Sequence, residues 1–245
     1  PVKVAQEHAD KVVVSIFVNP TQFGPGEDFD SYPRKEREDA EFLVRHGVDL
    51  LYLPNAEDMY PAGFATSVTV AARITEGLCA EQRPGHFVGV ATVVAKLFLQ
   101  ALPHVAVFGE KDYQQLLTLK QMMRDMNFPV EIVHAPTVRE ADGLAMSSRN
   151  TYLSEADRAI AAHLPRVLKD VVETIASRHV APDMVLAQGI ESLLTAGFDS
   201  VDYMELRDSE TLAPLAEVVR PARVLVAARI GRVRLIDNME VPLSQ

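Results

Sequence analysis

The stretch VAVFGEKDYQQLLTLKQMMRDMNFPVEIVH, residues 105–134, decides the fold. Residues 105–108 are an apolar run of strand type, about 113 to 126 reads as a helix, and 130–134 returns to strand. A strand running straight into a helix start leaves free N–H groups and a positive dipole end beside Gly109, Glu110, Lys111 and Asp112. Lys111 there complements an anion. The competing reading is an ordinary surface lysine, with Asp112 a plain N-cap. Gln114 and Gln115 begin the helix, and one of them is expected to point back over the strand ends.

Working upstream, VVVSIFV (12–18) reads as a strand buried on both faces, 35–46 as an amphipathic helix ending at Gly47, and 48–53 as the next buried strand. A short strand is expected at 67–70. A helical segment at 83–102 opens with Arg83, Pro84, Gly85 and His86 and puts Val90, Val93, Val94, Leu97 and Phe98 on one face. A structural role for His86 is favoured over ligand contact. Strand, helix, strand, helix, strand in this order means an α/β fold with a Rossmann-like, doubly wound parallel sheet. Residues 19–33, rich in Gly, Pro and Asp, form a long loop at a strand's carboxyl end, the edge where such sheets bind ligands. Asn19 and Gln22 therefore face a substrate or serve turn chemistry. Gly24 and Gly26 start a GxG pattern without the third Gly, so a dinucleotide fingerprint is absent.

Downstream lies VREADGLAMSSRN, residues 138–150. Met146, Ser147, Ser148, Arg149 and Asn150 place two hydroxyls and a fixed positive charge in a small polar segment, which is what a polyphosphate needs. A polar connection to the next helix is the alternative. That helix has its own capping box at Ser154 and Asp157, so capping is not expected to account for Ser147 and Ser148. Beyond Ser154, helices at 155–177 and 182–196 lead into strands at 201–206, 224–228 and 233–236. The division is a ligand-binding domain at 1–142 and a smaller α+β domain at 143–245 able to close as a lid, with the serine loop at the junction.

With 245 residues, 48% hydrophobic and 24% charged, the chain has enough apolar material for a proper core. A formal charge of -10 argues against general nucleic-acid affinity and makes the few cations beside Gly and Ser informative. One cysteine, Cys79, excludes an internal disulfide and a cysteine-based zinc site. No apolar run long enough to span a membrane is present: the most apolar segment, 87–102, is interrupted by Lys96 and Gln100. No secretory signal is evident, so the expected compartment is the cytoplasm.

FVNPTQF (17–23), SYPR (31–34), RPGHFVGVATVVAKLF (83–98), FGEKDYQQL (108–116) and VREADGLAMSSRNTYL (138–153) together resemble the pantothenate synthetases, the pantoate–β-alanine ligases of the nucleotidyltransferase superfamily. The resemblance implies an ATP- and Mg²⁺-dependent ligase of pantothenate and coenzyme A biosynthesis. In it, pantoate attacks the α-phosphorus of ATP, and β-alanine then attacks the pantoyl adenylate, with pyrophosphate and AMP released. It implies that Met146, Ser147, Ser148 and Arg149 hold ATP phosphates together with Lys111, and that Gly109, Glu110, Asp112 and Val138 lie against the nucleotide. The resemblance also implies that Lys111, Ser147, Ser148 and Arg149 carry the catalytic work. Gln22 and Gln115 are expected to hold pantoate, with Gln22 also near β-alanine and Asn19 supporting the pocket. Val90, Val93 and Val94 either wall the pantoate methyls or pack the core. The Mg²⁺ ligands stay open, and a homodimer is implied. The family's HxGH motif and first strand, expected just before residue 2, do not occur within residues 1–245, and a segment upstream of Pro1 that carries them is expected in preference to a genuine truncation. The alternatives are an impaired nucleotide-binding dimer, or a related nucleotidyltransferase with another substrate.

Overall fold

A computed structural model of the chain describes residues 1–71, 73–177 and 179–243. In chain order the elements are α1 (Val2–His8), β1 (Val13–Ser15), α2 (Glu36–Arg45), β2 (Leu50–Tyr52), α3 (Ala56–Met59), α4 (Leu78–Gln82), α5 (His86–Ala101), β3 (Val105–Gly109), α6 (Tyr113–Asp125) and β4 (Glu131–Ala135). They are followed by α7 (Glu155–Ala161), α8 (His163–Ser177), α9 (Pro182–Thr195), β5 (Ser200–Asp208), β6 (Ala222–Ile230) and β7 (Val233–Val241). Short 3₁₀ turns at Pro20–Gln22, Glu110–Asp112 and Ser148–Tyr152 carry much of what matters below.

The parallel grammar is present in two separate pairs. β1 lies parallel to β2, and β3 parallel to β4 from Val105 opposite Glu131 to Gly109 opposite Ala135. No ladder among the described residues joins the pairs into the continuous sheet that the sequence suggests. The expectation of a first strand buried on both faces is corrected accordingly: Val13 is 50% exposed and Leu50 opposite it 56%. Apolar composition measures what a strand is able to bury, and neighbours decide whether it does. The strand expected at 67–70 does not form a ladder either. The Val68 N–H donates to Thr92 Oγ1 at 2.9 Å, so a helix side chain satisfies the backbone.

α5 behaves as its one-sided apolar pattern demands. Val90, Val93, Val94 and Phe98 pack against Leu119 and Met122 of α6 and against Met59. The valines are therefore core. α2 stops as expected: the chain leaves the helix through His46, and Gly47 takes φ 69°, which suits glycine.

The C-terminal part is a three-stranded antiparallel sheet in the order β5-β6-β7, with α8 and α9 packed on it. β6 is central and almost wholly buried, which explains its near-continuous apolar run. A smaller cluster of Ile74, Leu78, Leu117, Leu212 and Leu225 ties this sheet to the parallel part of the chain. The sheet's edge strand β7 meets the 3₁₀ turn after β3, which brings the antiparallel sheet to the end of a parallel strand.

Candidate active site

The carboxyl end of β3 opens on a cleft of about 370 Å³, in the range typical of small-molecule sites. Three distant stretches line it: the start of α6 with Lys111, Asp112 and Gln115, the serine loop with Ser147, Arg149 and Asn150, and the long loop with Glu27 and Asp28. A fourth wall comes from the β6–β7 hairpin through Arg229, Arg232 and Arg234.

Local sequence explains each placement. β3 ends at Gly109 with φ -76°, a backbone shape open to any residue, but a Cβ there would meet no heavy atom within 4 Å. The glycine thus leaves space at the strand end. Asp112 precedes α6 without a side-chain cap bond, so the plain N-cap reading does not describe its carboxylate. Lys111 Nζ stands 4.0 Å from Asp112 Oδ2, with the lysine side chain 19% exposed. Of the two glutamines, Gln114 is structural: it donates to the Ile74 and Gly77 carbonyls and accepts from Cys79 N. Gln115 remains as a cleft residue with its amide unclaimed by protein partners among the described residues.

Residues 138–146 form a small hairpin, closed by the Met146 N–H donating to the Val138 carbonyl at 2.9 Å. Gly143 turns it at φ 92°. The hairpin delivers Ser147, whose Oγ accepts from Arg149 N at 3.3 Å and caps the 3₁₀ turn Ser148–Tyr152. Ser147 is thus a cap after all, of its own short turn, although the box at Ser154 and Asp157 forms separately as expected. Arg149 Nε and Nη2 donate to both carboxylate oxygens of Asp28, at 2.9 and 2.7 Å, and its guanidinium lies over the Tyr32 ring. The Nη1 donors have no partner among the described residues. Burial would raise the Asp28 carboxyl, but the hydrogen bonds and charge of Arg149 outweigh it and hold that carboxyl below its ordinary range.

A second arginine closes the floor. Arg83 forms a two-pronged pair with Glu27, at 2.7 and 2.6 Å, and its Nη1 meets His86 Nε2 at 3.1 Å. Arginine only donates, so Nε2 must accept and Nδ1–H donates to the Gln22 carbonyl at 2.8 Å. The geometry therefore requires a neutral imidazole. Burial and the Arg83 charge push its pKa down to about 4. His86 is structural, as favoured from the sequence.

Asn19 and Gln22 stand beside this floor, outside the lining of the cleft. Asn19 is 2% exposed. Its Oδ1 accepts from Tyr60 OH and Thr21, and its Nδ2 donates to the Gly89 carbonyl and Gln22 Oε1. Turn chemistry and support of Gln22 are thus one network. Glu110, Gly109, Val138, Met146 and Ser148 do not line the cleft either. Val138 and Met146 are about half exposed, at 53% and 55%, while the Glu110 carboxylate meets His134 Nδ1 at 2.8 Å. Sequence reasoning passed over Glu27, Asp28, Asp237 and the hairpin arginines. Asp28 and Arg149 are 121 positions apart, and no local signal links them.

The family described as pantoate-beta-alanine ligase matches residues 2–240 of this chain. A pantothenate synthetase of Paramagnetospirillum magneticum is 53% identical over 240 residues, covering 98% of this chain and 84% of that protein. A crystal structure of pantothenate synthetase from Thermus thermophilus superposes with a TM-score of 0.94 at 50% identity, covering 98% of this chain and 87% of the other. A pantoate-beta-alanine ligase from Francisella tularensis, complexed with beta-gamma ATP and beta-alanine, superposes with a TM-score of 0.81 at 34% identity, over 98% and 82% of the two chains. A family match over nearly the whole length, close relatives and a shared fold agree, and the chain belongs to the pantoate–β-alanine ligase family.

Proposed function

We propose that this pantoate–β-alanine ligase activates the pantoate carboxylate with ATP, forming a pantoyl adenylate that β-alanine consumes. The observation that carries the reading is the meeting of Lys111, Gln115, Ser147 and Arg149, from separate stretches, in one cleft at the end of β3. Ser147 and Ser148 have no histidine or carboxylate in hydrogen-bonding reach among the described residues. That fits direct transfer between bound substrates, in which positioning and charge neutralisation do the catalysis.

In this reading Lys111 and the Nη1 edge of Arg149 take phosphate oxygens, with Ser147 and Ser148 supplying further donors. Asp28 holds Arg149 in place from the opposite edge. Asp112 meets the nucleotide inside the cleft, and Gly109 with the backbones of Glu110, Val138 and Met146, outside its lining, meets the part that extends past the rim. Gln115 and Gln22 hold pantoate, and Asn19 orients Gln22 by binding its Oε1. Gln22 Nε2 then remains for substrate. Val90, Val93 and Val94 of α5 pack the core.

Among the described residues no group of three or more His, Cys, Asp or Glu side chains is arranged to hold a metal by itself. Mg²⁺ carried on ATP needs only one or two carboxylates, and the site fits that use. Glu27, Asp28 and Asp237 in the cleft are each paired to arginine, which leaves Asp112 as the carboxylate to face it. Mg²⁺ would neutralise phosphate charge there. The division into a binding part at 1–142 and a lid at 143–245 is part of the proposal, with its boundary at the Gly143 turn. A homodimer is carried as part of the proposal on family grounds, and so is a cytoplasmic location. No helix among the described residues is long and apolar enough to cross a membrane.

Pyrophosphate release from MgATP, followed with and without pantoate before β-alanine is added, tests the reading. Pantoate-dependent release is expected. Release indifferent to pantoate would refute it.

A further inference from the structure

The charge-bearing turn after β3 is held by a strand of the C-terminal sheet that also borders the cleft. Asn238 lies on β7 and is 4% exposed. Its Nδ2 donates to the carbonyls of Glu110 and Lys111, both at 3.0 Å. Its Oδ1 accepts from Arg223 Nη1 at 2.5 Å. Carbonyls only accept and arginine only donates, so the amide has one possible orientation and both its N–H groups are committed to the turn. Two consecutive carbonyls held by one side chain fix the peptide planes on either side of Lys111.

The neighbouring residue anchors the clamp. Asp237, 2% exposed, accepts from Arg139 at 2.6 and 2.9 Å and also accepts from Asn238 N at 2.8 Å. Arg139 stands at the base of the 138–146 hairpin, where it also donates to the Gly143 carbonyl at 3.0 Å. One dipeptide of β7 thus reaches both phosphate-side elements of the cleft: the Lys111 turn through Asn238 and the serine hairpin through Asp237.

We propose that Asn238 is a positioning residue for the ligation, which fixes from β7 the 110–112 turn and so the place of the Lys111 ammonium in the cleft. The inference rests on Lys111 binding phosphate, as read above. Misplacement of a binding group by about 1 Å costs on the order of 100-fold in rate. The amide acts through the side chains that the turn carries into the cleft, Lys111 first and Asp112 after it.

A double-mutant cycle tests this in the full-length enzyme. Asn238→Ala is expected to lower kcat/KM for ATP by roughly 10- to 100-fold while leaving the KM for β-alanine unchanged. In a Lys111→Ala background the same change is expected to cost several-fold less, because the main group it positions is gone and only Asp112 remains on the turn. If Asn238→Ala does not fold, Asn238→Asp replaces it: the carboxylate keeps an acceptor for Arg223 and loses both donors to the turn, and the same pattern is expected. An equal fold-loss in both backgrounds would show general weakening of the sheet and overturn the proposal. So would kcat/KM for ATP within threefold of the parent in the single variant. Lys111→Ala without effect on ATP kinetics is a separate outcome: it refutes the phosphate role of Lys111, and the positioning role falls with it.

Discussion

Gly89→Ala sets two physical effects of opposite sign against each other. Gly89 lies inside α5, where alanine is favoured by about 1 kcal/mol. By propensity alone the variant would be more stable. The structure says otherwise, because the 3₁₀ turn Pro20–Gln22 rests on the helix at this point. A Cβ on Gly89 would stand 2.4 Å from the Thr21 carbonyl oxygen and 2.7 Å from Gln22 N, all backbone atoms that no rotamer change can remove. Relaxed heavy-atom contacts begin near 3.5 Å, so the turn must retreat by about 1 Å. Overpacking of this kind costs roughly 1–3 kcal/mol. The retreat also stretches the bond from Asn19 Nδ2 to the Gly89 carbonyl, 3.2 Å in the native turn, and an unsatisfied buried amide adds roughly 1–3 kcal/mol. The net expectation is a loss of about 2 kcal/mol or more, read from urea unfolding. Because the turn carries Gln22, the KM for pantoate is expected to rise about tenfold, with the KM for ATP held within about twofold. A variant more stable than its parent, with unchanged pantoate kinetics, would refute the packing argument.

The remaining expectations concern charge and caps. His86 is neutral in the fold with a pKa near 4 against an ordinary 6.5, so the unfolded chain binds more protons between those values. Its contribution is complete above pH 6.5 and is lost as the pH falls toward 4, about 3 kcal/mol over the window at 1.36 kcal/mol per unit. His86→Gln should flatten that part of the stability–pH curve, and an unchanged slope would dismiss the assignment. Asp28→Asn removes the partner that orients Arg149, whose side chain is 26% exposed. Loss of about 1 kcal/mol is expected, as an approximately fivefold rise in the KM for ATP, whereas a fall would mean that Asp28 competes with phosphate. Ser154→Ala should cost roughly 0.5–2 kcal/mol in thermal or urea unfolding through the lost cap and leave turnover largely intact. Damage to turnover beyond that to stability would place Ser154 in the chemistry.

Which parts of this molecule were legible beforehand follows from the range of the forces involved. The β3–α6–β4 unit, the glycine stop after α2, the capping box at Ser154 and the apolar face of α5 are set by neighbours within a few positions, and the chain announces each of them. Charge and hydroxyl chemistry marked Lys111, Ser147, Ser148 and Arg149 as candidate phosphate groups, and of these Lys111, Ser147 and Arg149 line the cleft while Ser148 does not. Asn19 and His86 were readable only as choices between roles. Hydrogen bonds to residues 70 positions away in one case and 64 in the other joined the two roles of Asn19 in one network and made His86 structural.

Long-range pairing was beyond the sequence. Composition showed that 12–18 and 48–53 were able to be buried, but exposure of Val13 and Leu50 depends on what lies beside the β1–β2 pair. The pairing of Asp28 with Arg149, of Glu27 with Arg83, and the clamp of Asn238 on the Lys111 turn join residues 56 to 128 positions apart. A charged or amide side chain carries no local mark of the partner it will meet. Local propensity therefore determined the elements and the chemical inventory of the site. Only the packing of the antiparallel sheet against the end of β3 decided which of those groups face one another, because desolvated ion pairs and hydrogen bonds are satisfied in space and not along the chain.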